Sequence, residues 1–272
     1  MPPVKPKVEP FCFNSYGVNI EIYSNDAEVL KRAGEVAHDG LLGNLRRSKR
    51  GSPTVRFDLI VTQTGKIRFM QDGKRITTSP PDWKFYKFFD SILGAAVGGN
   101  APDHVVIHAG VVGWKGKAIV MPANSFDGKS TLTAALVRQG AEYYSDDFAI
   151  IDREGFVHPF ARIISMRTDE PNMKVYDIDP RNIGRIGRKR IPVGTLLFTS
   201  FRRSGKWRPQ TITPGQAVLK MVPHTLPIRV SPEFTMRVLN ILAQRAILIS
   251  STRGEADIFA QNLLNYVDKH VV

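Results

Sequence analysis

Val105-Val106-Ile107-His108-Ala109-Gly110 and, after a turn at Trp114 to Lys117, Ala118-Ile119-Val120-Met121-Pro122-Ala123-Asn124-Ser125-Phe126-Asp127-Gly128-Lys129-Ser130-Thr131 decide the fold. Each stretch opens on an apolar, strand-like run. The second passes through a small polar turn into Gly128-Lys129-Ser130. A helical pattern from Leu132 to Gln139 follows and stops at Gly140. Strand, turn, Gly-Lys-Ser and helix is the order that a phosphate-binding P-loop needs. The plain alternative is an ordinary strand–turn–helix with a chance Gly-Lys-Ser.

A triphosphate needs backbone N–H donors that point inward, and a tight loop opening onto a helix N-terminus supplies them. The expected nucleotide-binding residues are therefore Ala123, Asn124, Ser125, Phe126, Asp127, Gly128, Lys129, Ser130 and Thr131. Lys129 would reach the β- and γ-phosphates as a mobile charge. The Ser130 hydroxyl would sit on Mg²⁺. The usual pattern begins with Gly, and here that position is Ala123. Ala tolerates positive φ poorly, so the loop is expected to enter by another backbone path or bear mild strain.

After the helix, Glu142 to Ser145 reads as a strand that feeds Asp146-Asp147 and is expected to run beside the P-loop strand in a parallel sheet. Two adjacent carboxylates at a buried strand end are costly unless they bind a metal or a proton. One can hold Mg²⁺; the other can accept a hydroxyl proton, as a kinase base does. The bland version is a cap or a surface turn. His108 closes the first strand in this reading. It is either structural or a partner of phosphate or of the Asp pair.

On His108, Lys129 and Asp146-Asp147, the chain resembles the catalytic domain of the HPr kinase/phosphorylase family. Lys129 follows His108 by 21 residues, and Asp147 follows Lys129 by 18. The resemblance covers residues 103–170 and loosens beyond. It implies a phosphoenolpyruvate-carboxykinase-like α/β core, ATP and Mg²⁺ as cofactors, a protein or peptide substrate and a homo-oligomer. It assigns the catalytic base to Asp147, with His108 and Lys129 as catalytic partners and Ser130 and Asp146 as metal ligands. The chain departs from the family at three positions. Ala123 replaces Gly, Thr131 replaces a Glu, and Ser165 in Ile164-Ser165-Met166-Arg167 replaces an acidic metal ligand. The last bears on the metal site and on the reverse, phosphorylase activity.

The chain has 272 residues and 42% hydrophobic content, enough for a substantial core. No run approaches the roughly 18 apolar residues of a membrane-spanning helix. The polar, Pro-rich start, Met1-Pro2-Pro3-Val4-Lys5-Pro6, lacks the apolar core of a signal peptide, so a cytoplasmic location is expected. Cys12 is the lone cysteine, which excludes a disulfide framework and a cysteine zinc site. The net charge of +13 exceeds what nucleotide phosphates require and points to an anionic partner (an acidic protein or peptide substrate, nucleic acid or a membrane surface) or to a solvated basic surface. The basic stretch at residues 43–53 lacks interleaved aromatics and reads as a solvated loop, not a nucleic-acid patch.

Residues 1–100 read as a small α+β unit and residues 101–272 as the P-loop domain. In the first, strands are expected around Asn14 to Gly17, a helix capped by Asp26 and a hairpin at Asp72-Gly73. A helix from Trp83 to Val97 should bury its aromatic stripe, with Gly98-Gly99 as the boundary. In the second, residues 168–190 combine charge with little apolar content and read as a mobile flap, for substrate or as a plain linker. Arg162 and Arg167 are candidates to clamp phosphate. Strand Val193 to Phe198 and helices from Pro214, Pro232 and Glu255 complete it. The expected function is Ser/Thr phosphorylation of a protein or peptide. A kinase of a small hydroxylated metabolite and a non-catalytic nucleotide-binding regulatory module are the alternatives.

Overall fold

The computed structural model describes residues 8–41, 44–124, 127–167, 175–229 and 231–270. Its contacts divide the chain into two units, residues 1–102 and 103–272. Both are mixed α/β.

The first unit contains β1 (Phe11–Ser15), β2 (Val18–Ser24), α1 (Ala27–Gly40), β3 (Arg46–Arg47), β4 (Val55–Val61), β5 (Ile67–Gln71), β6 (Lys74–Ser79) and α2 (Trp83–Asn100). The strands form one sheet in the order β3-β1-β2-β4-β5-β6, with β2 and β4 parallel. Asp26 caps α1 by accepting from the N–H groups of Glu28 and Val29. The stripe on α2 is core: Phe85 and Phe89 are buried and meet Phe57 and Phe69 edge-on. Gly98 and Gly99 stay helical, so α2 runs past the expected boundary to Asn100.

The second unit runs β7 (His104–Trp114), β8 (Lys117–Pro122), α3 (Lys129–Arg138), β9 (Glu142–Ser145), β10 (Phe148–Asp152), β11 (Phe156–His158), β12 (Ile164–Arg167), β13 (Val175–Ile178), β14 (Ile191–Phe201), β15 (Gln210–Thr211), α4 (Pro214–Met221), α5 (Pro232–Arg245), β16 (Ile247–Arg253) and α6 (Ala256–His270). Its main sheet has the order β11-β10-β7-β8-β14-β16-β15, with β9 on β7. β8, β14 and β16 are parallel neighbours. Alternation along the strands splits the core between two faces. Val120, Leu196 and Leu248 pack with Val218 and Leu239 of α4 and α5. Ile119, Leu197 and Ile249 pack with Leu136 and Leu263 of α3 and α6.

Three expectations need correction. His108 does not close a strand: β7 runs on to Trp114, because it exchanges partners instead of ending. It pairs with β10 up to His108 and with β8 from Ala109. β9 does not lie beside β8 in a parallel pair, since β7 stands between them, antiparallel to both. The two thus run in the same direction, one strand apart. Third, residues 175–190 are tied into the fold rather than forming a free flap. They hold β13 and a 3-10 turn at Pro180–Asn182, and Arg185 and Gly187 bond the backbone of Tyr143. The Tyr144 hydroxyl donates to the Lys189 carbonyl. Backbone pairing thus offsets their low apolar content. The rest of the expected flap, 168–174, lies outside the described residues.

Gly110, read as part of a strand end, instead admits the helix that follows β8. A Cβ there would stand 2.6 Å from Thr133 Oγ1 and 3.1 Å from Met121 Cε. Thr133 is fully buried and its hydroxyl has no hydrogen-bond partner among the described residues. Gly110→Ala should therefore destabilise the chain by about 1–3 kcal/mol in urea titration. Adding Thr133→Ala should make the joint loss smaller than the two separate losses combined. Strictly additive losses would show that Thr133 is not what Gly110 accommodates.

Candidate functional site

The loop between β8 and α3 is shaped by its own polar groups. Asn124 N–H donates to Asp127 Oδ2 at 2.8 Å, and Asp127 N–H returns a bond to the Asn124 carbonyl at 3.4 Å. Gly128 then adopts φ 76° and α3 begins at Lys129. Ser125 and Phe126 lie outside the described residues. Ala123 is buried and is not among the positive-φ residues, so the position usually held by Gly carries no left-handed strain here. Its N–H reaches the His108 carbonyl at 3.4 Å.

Arg253, at the end of β16, covers the helix entry. Its Nη2 donates to the Gly128 carbonyl at 2.9 Å, and its guanidinium lies 5.0 Å from the Phe201 ring centre. A Cβ on Gly128 would fall 1.8 Å from that Nη2. Gly128 is thus required twice, by its φ and by the arginine. Arg253 was not singled out by sequence reasoning, since a lone Arg before Gly254 carries no local signal.

Lys129 Nζ turns back over the loop and donates to the carbonyls of Ala123 at 3.1 Å and Asn124 at 2.9 Å. Burial lowers its pKa, while Asp147, Asp146 and Asp127 pull it up. The Ser130 hydroxyl donates to Asp146 Oδ2 at 2.9 Å. Tyr143 places its hydroxyl 2.9 Å from Asp146 Oδ1 and 3.0 Å from the Arg162 carbonyl. Burial raises the pKa of Asp146, the nearby Asp147 adds to this, and the Ser130 and Tyr143 bonds oppose both.

Asp147 has the opposite environment. Its Oδ1 lies 3.4 Å from His108 Nε2 and its Oδ2 accepts from Arg162 Nη1 at 3.1 Å. Burial would raise its pKa. The His108 hydrogen bond and the charges of Arg162, His108 and Lys129 outweigh it and lower the pKa. Arg162 is buried and already bound to Asp147, so it is a partner of the acid rather than a free phosphate clamp. The Arg167 side chain lies outside the described residues. The turn through the acids is held by Ser145, whose Oγ accepts from the N–H groups of Asp147 and Phe148. Tyr143 and Ser145 passed as plain strand residues in the sequence.

The fold thus brings His108, Lys129, Ser130, Asp146 and Asp147 into one cluster. Thr131 is exposed on the surface of α3. Ser165 sits on β12 and donates to Asp177 of β13 at 2.8 Å. Among the described residues no group of three or more His, Cys, Asp or Glu side chains could hold a metal ion. The hard oxygens of Ser130 and Asp146 still fit a cation that takes one or two protein ligands and completes its shell with phosphate and water.

No protein-family model matches the chain, and no curated protein matches its sequence. Among solved structures it is similar to the Hpr(Ser) kinase/phosphatase from Coxiella burnetii. The match has 12% identity, covers 61% of this chain and 95% of that one, and has a TM-score of 0.30. A likeness at that score carries no weight; the geometry of the chain's own residues does. No helix among the described residues is long and apolar enough to cross a membrane.

The two acids should respond oppositely to removal of their charge. The raised pKa of Asp146 means that its contribution to stability is present below the unfolded carboxylate's pKa and lost as pH rises through the folded value. The lowered pKa of Asp147 gives stability above the unfolded pKa that is lost as pH falls through the folded one. At pH 7, Asp146→Asn should leave the urea midpoint unchanged or higher, and Asp147→Asn should lower it. A lower midpoint for Asp146→Asn alone would contradict these environments.

Proposed function

We propose that the chain is an ATP- and Mg²⁺-dependent phosphotransferase of the HPr kinase kind, acting on a Ser or Thr hydroxyl of a protein or peptide. The observation that carries it is the Ser130–Asp146 hydrogen bond of 2.9 Å beside an Asp147 braced by His108 and Arg162. A hydroxyl at the start of a helix bonded to a carboxylate from a second strand is the pairing that holds the nucleotide's metal in P-loop enzymes.

In this reading the loop N–H groups and Lys129 bind the phosphates, Lys129 exchanging its carbonyl partners for phosphate oxygens. Ser130 and Asp146 would hold Mg²⁺, which supplies neutralisation of phosphate charge when bound. Asp147, ionised at neutral pH, orients the acceptor hydroxyl and receives its proton. A new bond forms from the acceptor oxygen to the γ-phosphorus, the bond from that phosphorus to the β,γ-bridging oxygen breaks, and ADP leaves. Its low basicity means that Asp147 takes the proton late, which suits a loose transition state in which positioning dominates. His108 and Arg162 are positioning residues for it.

Lys129→Ala should weaken ATP binding at least tenfold, from loss of a charge-assisted contact of about 1.5–3 kcal/mol. Asp147→Asn should bind ATP nearly as well as the parent and lose about 10²–10⁴ in phosphoryl transfer or in slow ATP hydrolysis. ATP titration by calorimetry and ADP release report the two effects. Equal ATP affinity in Lys129→Ala would remove the loop assignment. Tight ATP binding without turnover in the wild type would favour a nucleotide-binding regulatory module instead.

A further inference from the structure

The carboxyl ends of β8, β14 and β16 meet in a cavity of about 400 Å³. In open α/β sheets, the ends of neighbouring parallel strands are where ligands settle. One wall is shared with the loop before α3 through Pro122, Ala123 and Asp127. The others carry Lys220, His224 and Arg208. Among the described residues no carboxylate pairs with Lys220 or Arg208. Lys220 Nζ instead lies 5.9 Å from the Phe198 ring centre. Asp127 is the one acid in the lining, and its Oδ2 already accepts from Asn124.

The cavity adjoins the acid pair. Thr225 forms a β-bridge with Ile107, directly before His108. His224 directly precedes Thr225 of that bridge, as His108 directly follows Ile107. His224 therefore lines the cavity and stands close to the proposed transfer site. Phe198, the one phenyl ring in the lining, is buried and already met by Lys220, so it offers no open face to a nucleotide base.

We propose that this cavity binds a carboxylate or phosphate group of the phosphoryl acceptor, which makes the acceptor an anionic hydroxyl compound. The proposal rests on the phosphotransferase reading for the word acceptor; the anion site itself does not. Its probe is inorganic phosphate, titrated into the full chain with Mg²⁺ and saturating β,γ-imido-ATP, which occupies the α3 loop. Line broadening of the phosphorus NMR signal reports binding. Wild type should bind phosphate beside the analogue. Lys220→Glu, a change at an exposed position of α4, should weaken phosphate at least tenfold and keep its ATP affinity. Lys129→Ala, without nucleotide, should keep phosphate and lose ATP.

Displacement of phosphate by D-glycerate would mark a small hydroxy acid as the source of the anion, and displacement by an Asp-Ser-Glu peptide an acidic segment. Equal displacement by neutral glycerol would overturn the proposal. So would an absence of phosphate binding to the wild type, phosphate binding that survives Lys220→Glu, or loss of ATP affinity in that variant. Undiminished ATP binding in Lys129→Ala would sink the phosphotransferase reading alone, because phosphate titration of Lys220→Glu still decides the cavity.

Discussion

The candidate site depends on an interruption in one strand. β9 ends and β10 begins along the same stretch of β7: after a one-residue register shift at Val111/Val112, Ser145 faces Val111 and Phe148 faces His108. The two residues between them, Asp146 and Asp147, fall opposite Gly110 and Ala109. Those in turn face Met121 and Pro122 at the end of β8. The acids are therefore fixed at the level where β8 releases its loop, one strand away. No loop has to fold back to bring them there. The ladder does it, and the Ser145 hydroxyl satisfies the backbone N–H groups that the break leaves without a sheet partner.

That arrangement sets a demand on the small residues of β7. The helix carrying Lys129 and Ser130 must come close enough for Ser130 to touch Asp146, and it does so over Gly110. The same closeness recurs at the helix entry, where Arg253 replaces a side chain on Gly128 and ties the loop to β16. A buried guanidinium is expensive unless its donors are met. Here carbonyl groups at the loop and Gly254 meet two of its nitrogens, while Nε has no partner among the described residues. Such incomplete satisfaction is what a site pays in stability for a fixed loop.

The acid pair shows the same tension. Two carboxylates side by side cannot both be comfortable when ionised, and the fold separates them by environment rather than by distance. Asp146 faces hydroxyls only, so burial governs it. Asp147 faces His108 and Arg162, so charge governs it. Asp146, whose pKa burial raises, would gain from a cation that offsets its buried charge, and Asp147, whose pKa its partners lower, is set to orient a hydroxyl. The adjacent cavity continues this logic outward, with Lys220 and Arg208, which pair with no carboxylate among the described residues.

The sequence by itself determined the strand–loop–helix order, the helix start at Gly128-Lys129, the turn chemistry at Asp72-Gly73 and the buried stripe on α2. Each rests on local periodicity or on residues whose conformational preferences act over a few positions. It also marked His108, Lys129, Ser130 and the Asp pair, because those residue types are costly without partners. Only the tertiary structure decided who the partners are. That β7 continues past His108 follows from an exchange of neighbouring strands, which no local pattern encodes. That Arg162 braces Asp147, that Arg253 holds Gly128 and that residues 175–190 pair with Tyr143 are contacts between residues 15 to 125 positions apart. Their free energy comes from burial and from hydrogen bonds completed across the sheet. Composition made residues 175–190 look free because it records how little they bury and not which backbone groups they meet.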